Sequence, residues 1–405
     1  MVSRSGRRKN LTVFFFLAPT LLAVLVFNVY PILLNTYVSF TNRNKVHPNP
    51  DCSVALTGLL DPLCWPVFRE HAPTGLAEPY TLADPLFKNY TELLGKLFTV
   101  DALLALLRVV LVLLPLALAF FYNQRKTRPD LALASPGMVW LYGILLTLLA
   151  SFFIDLPGAY ANLMKTGDFL AVVARSLIFV VIRVPITFAI GFILAVILNS
   201  PYIKGRTFFR VVLFLPWAAS SLAILMAKVW EFFFRQQGTI NQVLAIFGVD
   251  GKAWLQDPTT ALAAIIIADI WFSYPFFMVT ILGALQAISN DVYEAAEMDG
   301  ASWWHQLFNI TLPLIRPAVL PAIVLTSISA FQMFGTAYAI TAGGPSMGAG
   351  QPGATEFVMI YAYKQIFQSQ NYGRATAFAV ILFIMLFGAT LYSLRVSRAT
   401  KGANE

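Results

Sequence analysis

An all-α polytopic membrane protein is the fold class this 405-residue sequence predicts, and three observations predict it. Hydrophobic residues make up 58% and charged residues 12%, against roughly 45–50% and about 25% in ordinary soluble domains. The apolar residues are gathered into blocks, the first running without a charge from Leu11 to Asn42, longer than the ~20 residues that cross a bilayer. The basic residues, which leave a net charge of +8, sit in short clusters beside those blocks. They read as orientation signals and not as a nucleic-acid surface.

Apolar runs of membrane length fall at Leu11–Leu34, Ala102–Tyr122, Met138–Ile154, Ala171–Leu198, Val211–Phe234, Ala261–Leu285, Ala318–Ile340 and Ala375–Leu394. They give eight expected transmembrane helices. The first follows Arg4, Arg7, Arg8 and Lys9 as a signal peptide would, but it far exceeds a 7–15-residue signal core and passes Pro31 without a small-residue cleavage site. The third is short and is followed by Asp155, Pro157 and Gly158; dropping it alone would move the C-terminal basic cluster to the other side of the membrane. With both termini inside, the cytoplasmic segments hold fourteen basic residues against nine on the external side, as the positive-inside bias requires.

Between the first two spans lies an external segment rich in proline, with Trp65, Phe68 and Tyr80 as anchors for a small ordered cap. It holds both cysteines, Cys52 and Cys64. A disulfide between them is feasible outside the cytoplasm, and two unpaired thiols in a packed loop fit equally. The expected organisation is an N-terminus and first helix over 1–40, an external loop over 41–101, a transmembrane hairpin over 102–165 and a helical core over 166–399.

The most informative segment is the cytoplasmic loop over 286–317. Asn290 and Asp291 are N-cap candidates, helix formers continue to Met298, and Gly300 breaks the helix. A second amphipathic stretch then places Trp303, Leu307 and Ile310 on one face until Pro313 and Pro317 end it. Two short helices joined at a glycine, one with an acidic rim, suit docking into a groove of a partner protein. An interfacial helix packed on its own bundle is the plainer reading.

The pattern Glu294, Ala295, Ala296, Gly300, Ile310, Leu312 and Pro313 resembles the EAA loop of binding-protein-dependent ABC permeases. The phrases GKAWLQDPTTA, YEAAEMDGA and ITAGGP are similar to those of the larger permease subunit of maltose and maltodextrin importers. The likeness runs from about Asp168 to Arg398 and includes the first span. It implies the six-helix core of a type I ABC importer permease, with the second and third spans as an inserted hairpin that crosses twice and preserves the orientation downstream.

What the resemblance implies for function is a subunit forming half of a pathway for maltose or maltodextrin-type oligosaccharides in a prokaryotic cytoplasmic membrane. Its implied partners are a second permease subunit, a homodimeric cytoplasmic ATPase and an external sugar-binding protein, besides membrane lipid. No nucleic acid is implied. The chain is then not an enzyme and carries no cofactor, because ATP and Mg are bound by the ATPase; it contains no GxxxxGK[ST] phosphate loop. Glu294, Ala295, Ala296, Asp299 and Gly300 would form the coupling helix and its bend. Substrate-binding residues carried over from the family positions are Trp217, Ser221, Asp269, Phe272, Ser273, Phe276, Thr326, Ser329 and Met333. The alternatives are another disaccharide such as trehalose, or an ion-coupled secondary transporter with Asp269 and Arg183 as coupling charges.

Asp269 has two readings, since an ionisable residue inside a span is costly and faces a cavity or a partner. It either accepts sugar hydroxyls or pairs with Arg183, taken to lie at similar depth in an antiparallel fourth span. Arg108, Arg175, Lys228 and Glu231 sit nearer span ends, where they would snorkel or line the external mouth. His47, His71 and His305 have no ligand or catalytic spacing, and no metal site is expected.

Overall fold

The computed structural model describes residues 3–47, 80–95, 99–124, 136–156, 158, 159, 162, 168–348 and 351–401. Among the described residues every regular element is helical, and strand-like pairing is limited to an isolated antiparallel bridge between Thr41 and Leu82. The chain divides into two units, residues 1–95 with 362–385 and residues 96–361 with 386–405.

In the first unit α1 (Ser3–Val24) passes through a π turn at Leu25–Val29 into α2 (Tyr30–Val38). The wide turn lies directly before Pro31, whose ring has no N–H and crowds the preceding turn, so the helix accommodates the proline and continues. The chain then folds back. On α3 (Lys88–Leu94) the Asn89 amide donates to the carbonyls of Ser39 and Thr41, both at 2.8 Å, and Tyr90 shares a 2.6 Å hydrogen bond with Ser39. Arg43 lies over the rings of Tyr80 and Tyr372, 5.6 and 4.8 Å from their centroids. Tyr80 is buried in this fold-back; Trp65, Phe68, Cys52 and Cys64 lie outside the described residues.

The second unit opens with α4 (Val100–Gln124) and α5 (Pro136–Phe153). Ala102, Ala105, Val112 and Ala119 are buried at heptad-related positions of α4, and a Cβ at Gly143 would stand 2.7 Å from that of Ala119. Small residues thus let the two helices approach closely. Next come α6 (Asp168–Asn199), α7 (Arg206–Ala218), α8 (Ala223–Phe233), α9 (Thr239–Ile246) and α10 (Pro258–Gln286). Asp257 caps α10, accepting from the amides of Thr259 (2.9 Å) and Thr260 (3.1 Å). The Thr259 hydroxyl and these amides hold its carboxyl below the usual aspartate range. On α9, Asn241 holds the loop before α10: it receives Lys252 N (3.1 Å) and Trp254 Nε1 (2.8 Å) while donating to the carbonyls of Gln236 and Lys252.

The remaining elements are α11 (Asn290–Met298), α12 (Leu312–Phe331), α13 (Gly335–Thr341), α14 (Val358–Tyr363) and α15 (Tyr372–Lys401). Among the described residues five helical runs are long and apolar enough to cross a bilayer, and a sixth if the bent pair α7–α8 is one span. Met138–Phe153 and Tyr372–Gly388 are shorter apolar helices.

Four expectations are corrected. The run Val211–Phe234 is not one straight helix: a 3₁₀ turn at Ala219–Leu222, just after Pro216, bends α7 against α8 by 95°. Pro313 and Pro317 do not end the stretch after Gly300. Trp303–His305 leads through a π turn at Gln306–Thr311 into α12, which contains both prolines. α12 stops instead at Phe331, and α13 begins only at Gly335. Finally, α6 and α10 run parallel, because Arg183 meets Asp269 while Gly191, further along, meets Phe277. Two spans separated by a single crossing must share a direction.

Arg175 also departs from expectation. It is buried in α6 and donates to the carbonyls of Pro352 (3.1 Å) and Gly353 (2.7 Å). Ser176 accepts from Val358 N at 3.1 Å, and Tyr361 donates to Asp168 at 3.1 Å. Together they fasten α14 and the loop before it to the start of α6. The shared core of this unit includes Phe179, Ile265, Phe277, Ile281, Ile315 and Phe357.

Candidate functional site

A cavity of about 450 Å³ lies among α6, the α7–α8 bend, α10, α12 and the break before α13. It exists because each element departs from a straight, evenly packed rod there. The bend turns Trp217 and Ser220 towards the space, and the stop of α12 after Phe331 leaves Met333 and Thr336 beside it.

Of the residues singled out from the sequence, Trp217, Asp269, Phe272, Ser273, Phe276, Thr326, Ser329 and Met333 all line this cavity. Ser221 belongs to the 3₁₀ turn, and its side chain lies outside the described residues. Sequence reasoning missed Ser220, Ala223, Leu325 and Thr336. Leu325 was readable, since it lies four residues before Ser329 on the same helical face; Thr336 lies beyond a helix break that periodicity did not reveal.

Arg183 closes one wall and ties three helices together. Its Nε pairs with the Asp269 carboxylate, Nη2 donates to Ser273 Oγ, and Nη1 reaches the Thr326 carbonyl at 3.4 Å. Both charged side chains are 5% exposed. Of the two readings left open for Asp269, the ion pair is present, and the paired residues line the same cavity. Aromatic faces and hydroxyls make up most of the rest, a lining suited to a ligand with apolar faces and many hydroxyl groups.

The EAA segment is a second feature. Ser289, and not Asn290 or Asp291, is the N-cap of α11: its hydroxyl accepts from Asp291 N at 3.3 Å. At the other end Gly300 has φ +74°, Gly300 N donates to the Glu297 carbonyl and Ala301 N to the Ala296 carbonyl, both at 2.9 Å. This left-handed closure suits glycine, which has no Cβ to clash. Glu294, Ala295 and Asp299 are exposed, whereas Ala296 is buried. Tyr293 ties the same helix to Thr311 at 3.0 Å. So α11 keeps one face on its own bundle and presents an acidic face outward, a geometry compatible with both earlier readings of this loop.

The family described as binding-protein-dependent transport system inner membrane component matches residues 158–397. The chain is 33% identical over 240 residues to a trehalose/maltose transport system permease of Thermococcus litoralis, covering 59% of this chain and 78% of the relative. It is 35% identical over 237 residues to a maltose/maltodextrin transport system permease of Klebsiella aerogenes, where it spans about half of the relative, 46%. A solved bacterial alginate ABC transporter, in complex with an alginate pentasaccharide-bound periplasmic protein, has a chain that is 22% identical at a TM-score of 0.49, covering 64% of this chain and 94% of that one. More than half of this chain is matched by the family, and the chain therefore belongs to the binding-protein-dependent inner membrane components, the permeases of ABC importers.

Proposed function

We propose that this chain forms half of the translocation pathway for a neutral oligosaccharide of the maltose and maltodextrin type, with the cavity between α6, α10 and α12 as its sugar site. The observation that carries the reading is the cavity lining. Trp217, Phe272 and Phe276 offer flat apolar faces to pyranose rings, while Ser220, Ser273, Thr326, Ser329 and Thr336 offer hydroxyls. In a membrane-embedded cavity such groups replace the water that a sugar loses on entry.

The driving force comes from a partner. The acidic face of α11, with Glu294 and the Gly300 bend, docks on a homodimeric cytoplasmic ATPase that binds ATP and Mg, and nucleotide closure rocks the bundle between two packings. A second permease subunit completes the pathway and an external binding protein delivers the sugar. Both termini face the cytoplasm, in agreement with the basic clusters at the span ends. The Thermococcus litoralis relative, named for trehalose as well as maltose, favours trehalose as the second candidate substrate.

Reconstitution tests this proposal. Proteoliposomes holding the chain, its partner permease and the ATPase, supplied with binding protein and ATP, are expected to accumulate labelled maltotriose or trehalose. Gradient-driven uptake by this chain alone would instead establish the ion-coupled alternative.

A further inference from the structure

The sugar reading leaves the charged pair in the cavity wall without a task. Arg183 and Asp269 are the only charged side chains lining the cavity among the described residues. Burying either charge alone is costly, and pairing makes the two tolerable together. The guanidinium is engaged by the protein at all three nitrogens: Nε meets Asp269, Nη2 meets Ser273 and Nη1 meets the Thr326 carbonyl. Any anionic ligand would therefore meet an Arg183 whose charge is already offset by Asp269 and whose three nitrogens each have a protein partner.

We propose that the Arg183–Asp269 pair sets the charge selectivity of the cavity, admitting uncharged sugars and excluding acidic ones such as uronates. An anionic sugar entering this space must shed water against a wall whose one cation is already neutralised, with the Asp269 carboxylate beside it. Neutral hydroxyls lose nothing by comparison. Specificity of this kind rests on a repulsive element as much as on attractive contacts. Asp269 is then a mask over Arg183, and Asp269→Asn, close in shape but uncharged, should unmask a cation and open the cavity to uronates.

The inference rests on the sugar-cavity reading above, and one experiment separates the two. The chain assembled with its partner permease and ATPase in nanodiscs, without binding protein, is mixed with maltotriose or trigalacturonate, and saturation-transfer NMR reads contact with each. Signal remaining in Ser329→Trp, which fills the cavity, is the background. Wild type is expected to saturate maltotriose at least tenfold more strongly than trigalacturonate. Asp269→Asn should raise the trigalacturonate signal about tenfold, and Arg183→Gln with Asp269→Asn should return it to the wild-type level.

Equal wild-type signals for both sugars would overturn the charge inference while leaving the sugar cavity standing, and this arm needs no variant. A correctly assembled Asp269→Asn complex with no gain of trigalacturonate would overturn it as well. If Asp269→Asn does not assemble, Ser329→Lys supplies an uncompensated cation in the same cavity and is expected to give the same gain; its failure counts against the proposal. Background signal alone for both sugars in wild type would sink the sugar-cavity reading and the inference with it.

Discussion

Tyr293 and Thr311 share a 3.0 Å hydrogen bond that joins the short acidic helix α11 to the start of the long helix α12. Thr311 in turn donates to the Gln306 carbonyl at 3.1 Å, which makes Tyr293 the donor of the pair. This contact crosses the segment through which movement of α11 would reach the cavity-lining helix. Tyr293→Phe removes about 1 kcal/mol of hydrogen bonding and leaves the ring in place. The expected outcome is a several-fold fall in sugar uptake per ATP hydrolysed by the assembled importer; an unchanged ratio would show that the contact transmits nothing.

Glu294 is exposed on the outward face of α11, with Glu297 and Asp299 nearby in the chain. A charge reversal there should repel the basic groove expected on the ATPase without disturbing the buried side of the helix. Glu294→Lys is therefore expected to abolish co-purification of the ATPase while membrane insertion stays normal. Co-purification at the wild-type level would refute the docking face.

Gly191 lies at a close contact between α6 and α10: a Cβ there would stand 2.6 Å from Phe277 Cβ and 2.9 Å from Met278 N. Gly283, on the same α10, has open space around it. Gly191→Leu is expected to destabilise by about 1–3 kcal/mol or more through overpacking, whereas Gly283→Ala should hold or gain stability through helix propensity, up to about 1 kcal/mol. Thermal unfolding of the two solubilised variants checks this, and similar losses in both would contradict the packing.

Asp257 gives a pH dependence whose sign is fixed. Its folded carboxyl titrates below the usual aspartate range because the Thr259 hydroxyl and the amides of Thr259 and Thr260 bind the charged form. The cap is thus present at and above the ordinary aspartate range and is lost as the pH falls through the lowered value. Hydrogen-exchange protection over 258–262 should drop on acidification in wild type. In Asp257→Asn, which caps at every pH, it should stay flat; a drop of equal size there would assign the effect to another group.

Much of this architecture could be read from the chain because a bilayer makes composition informative: runs such as Asp168–Asn199 and Pro258–Gln286 must be apolar over their whole length. The residues of the cavity wall were also legible, since polar and aromatic side chains such as Ser273, Thr326 and Trp217 stand out against that background. What periodicity missed were breaks and distant contacts. The 3₁₀ turn after Pro216, the π turns before Pro31 and Pro313, and the stop of α12 at Phe331 are local backbone choices that leave hydropathy unchanged. Arg175 meets carbonyls at Pro352 and Gly353, in a loop far along the chain. Its position near a span end gave a snorkelling expectation that tertiary packing overrode.

The cavity beneath the α7–α8 bend is the proposed route of the sugar. Ser329 lines it and is exposed to it, so Ser329→Trp obstructs the space without removing any hydrogen bond that fastens the helices. ATP-driven uptake of labelled maltotriose by proteoliposomes of the assembled importer is the direct measurement. Ser329→Trp is expected to abolish uptake while assembly and ATP hydrolysis persist; uptake at the wild-type rate would show that the sugar takes another route.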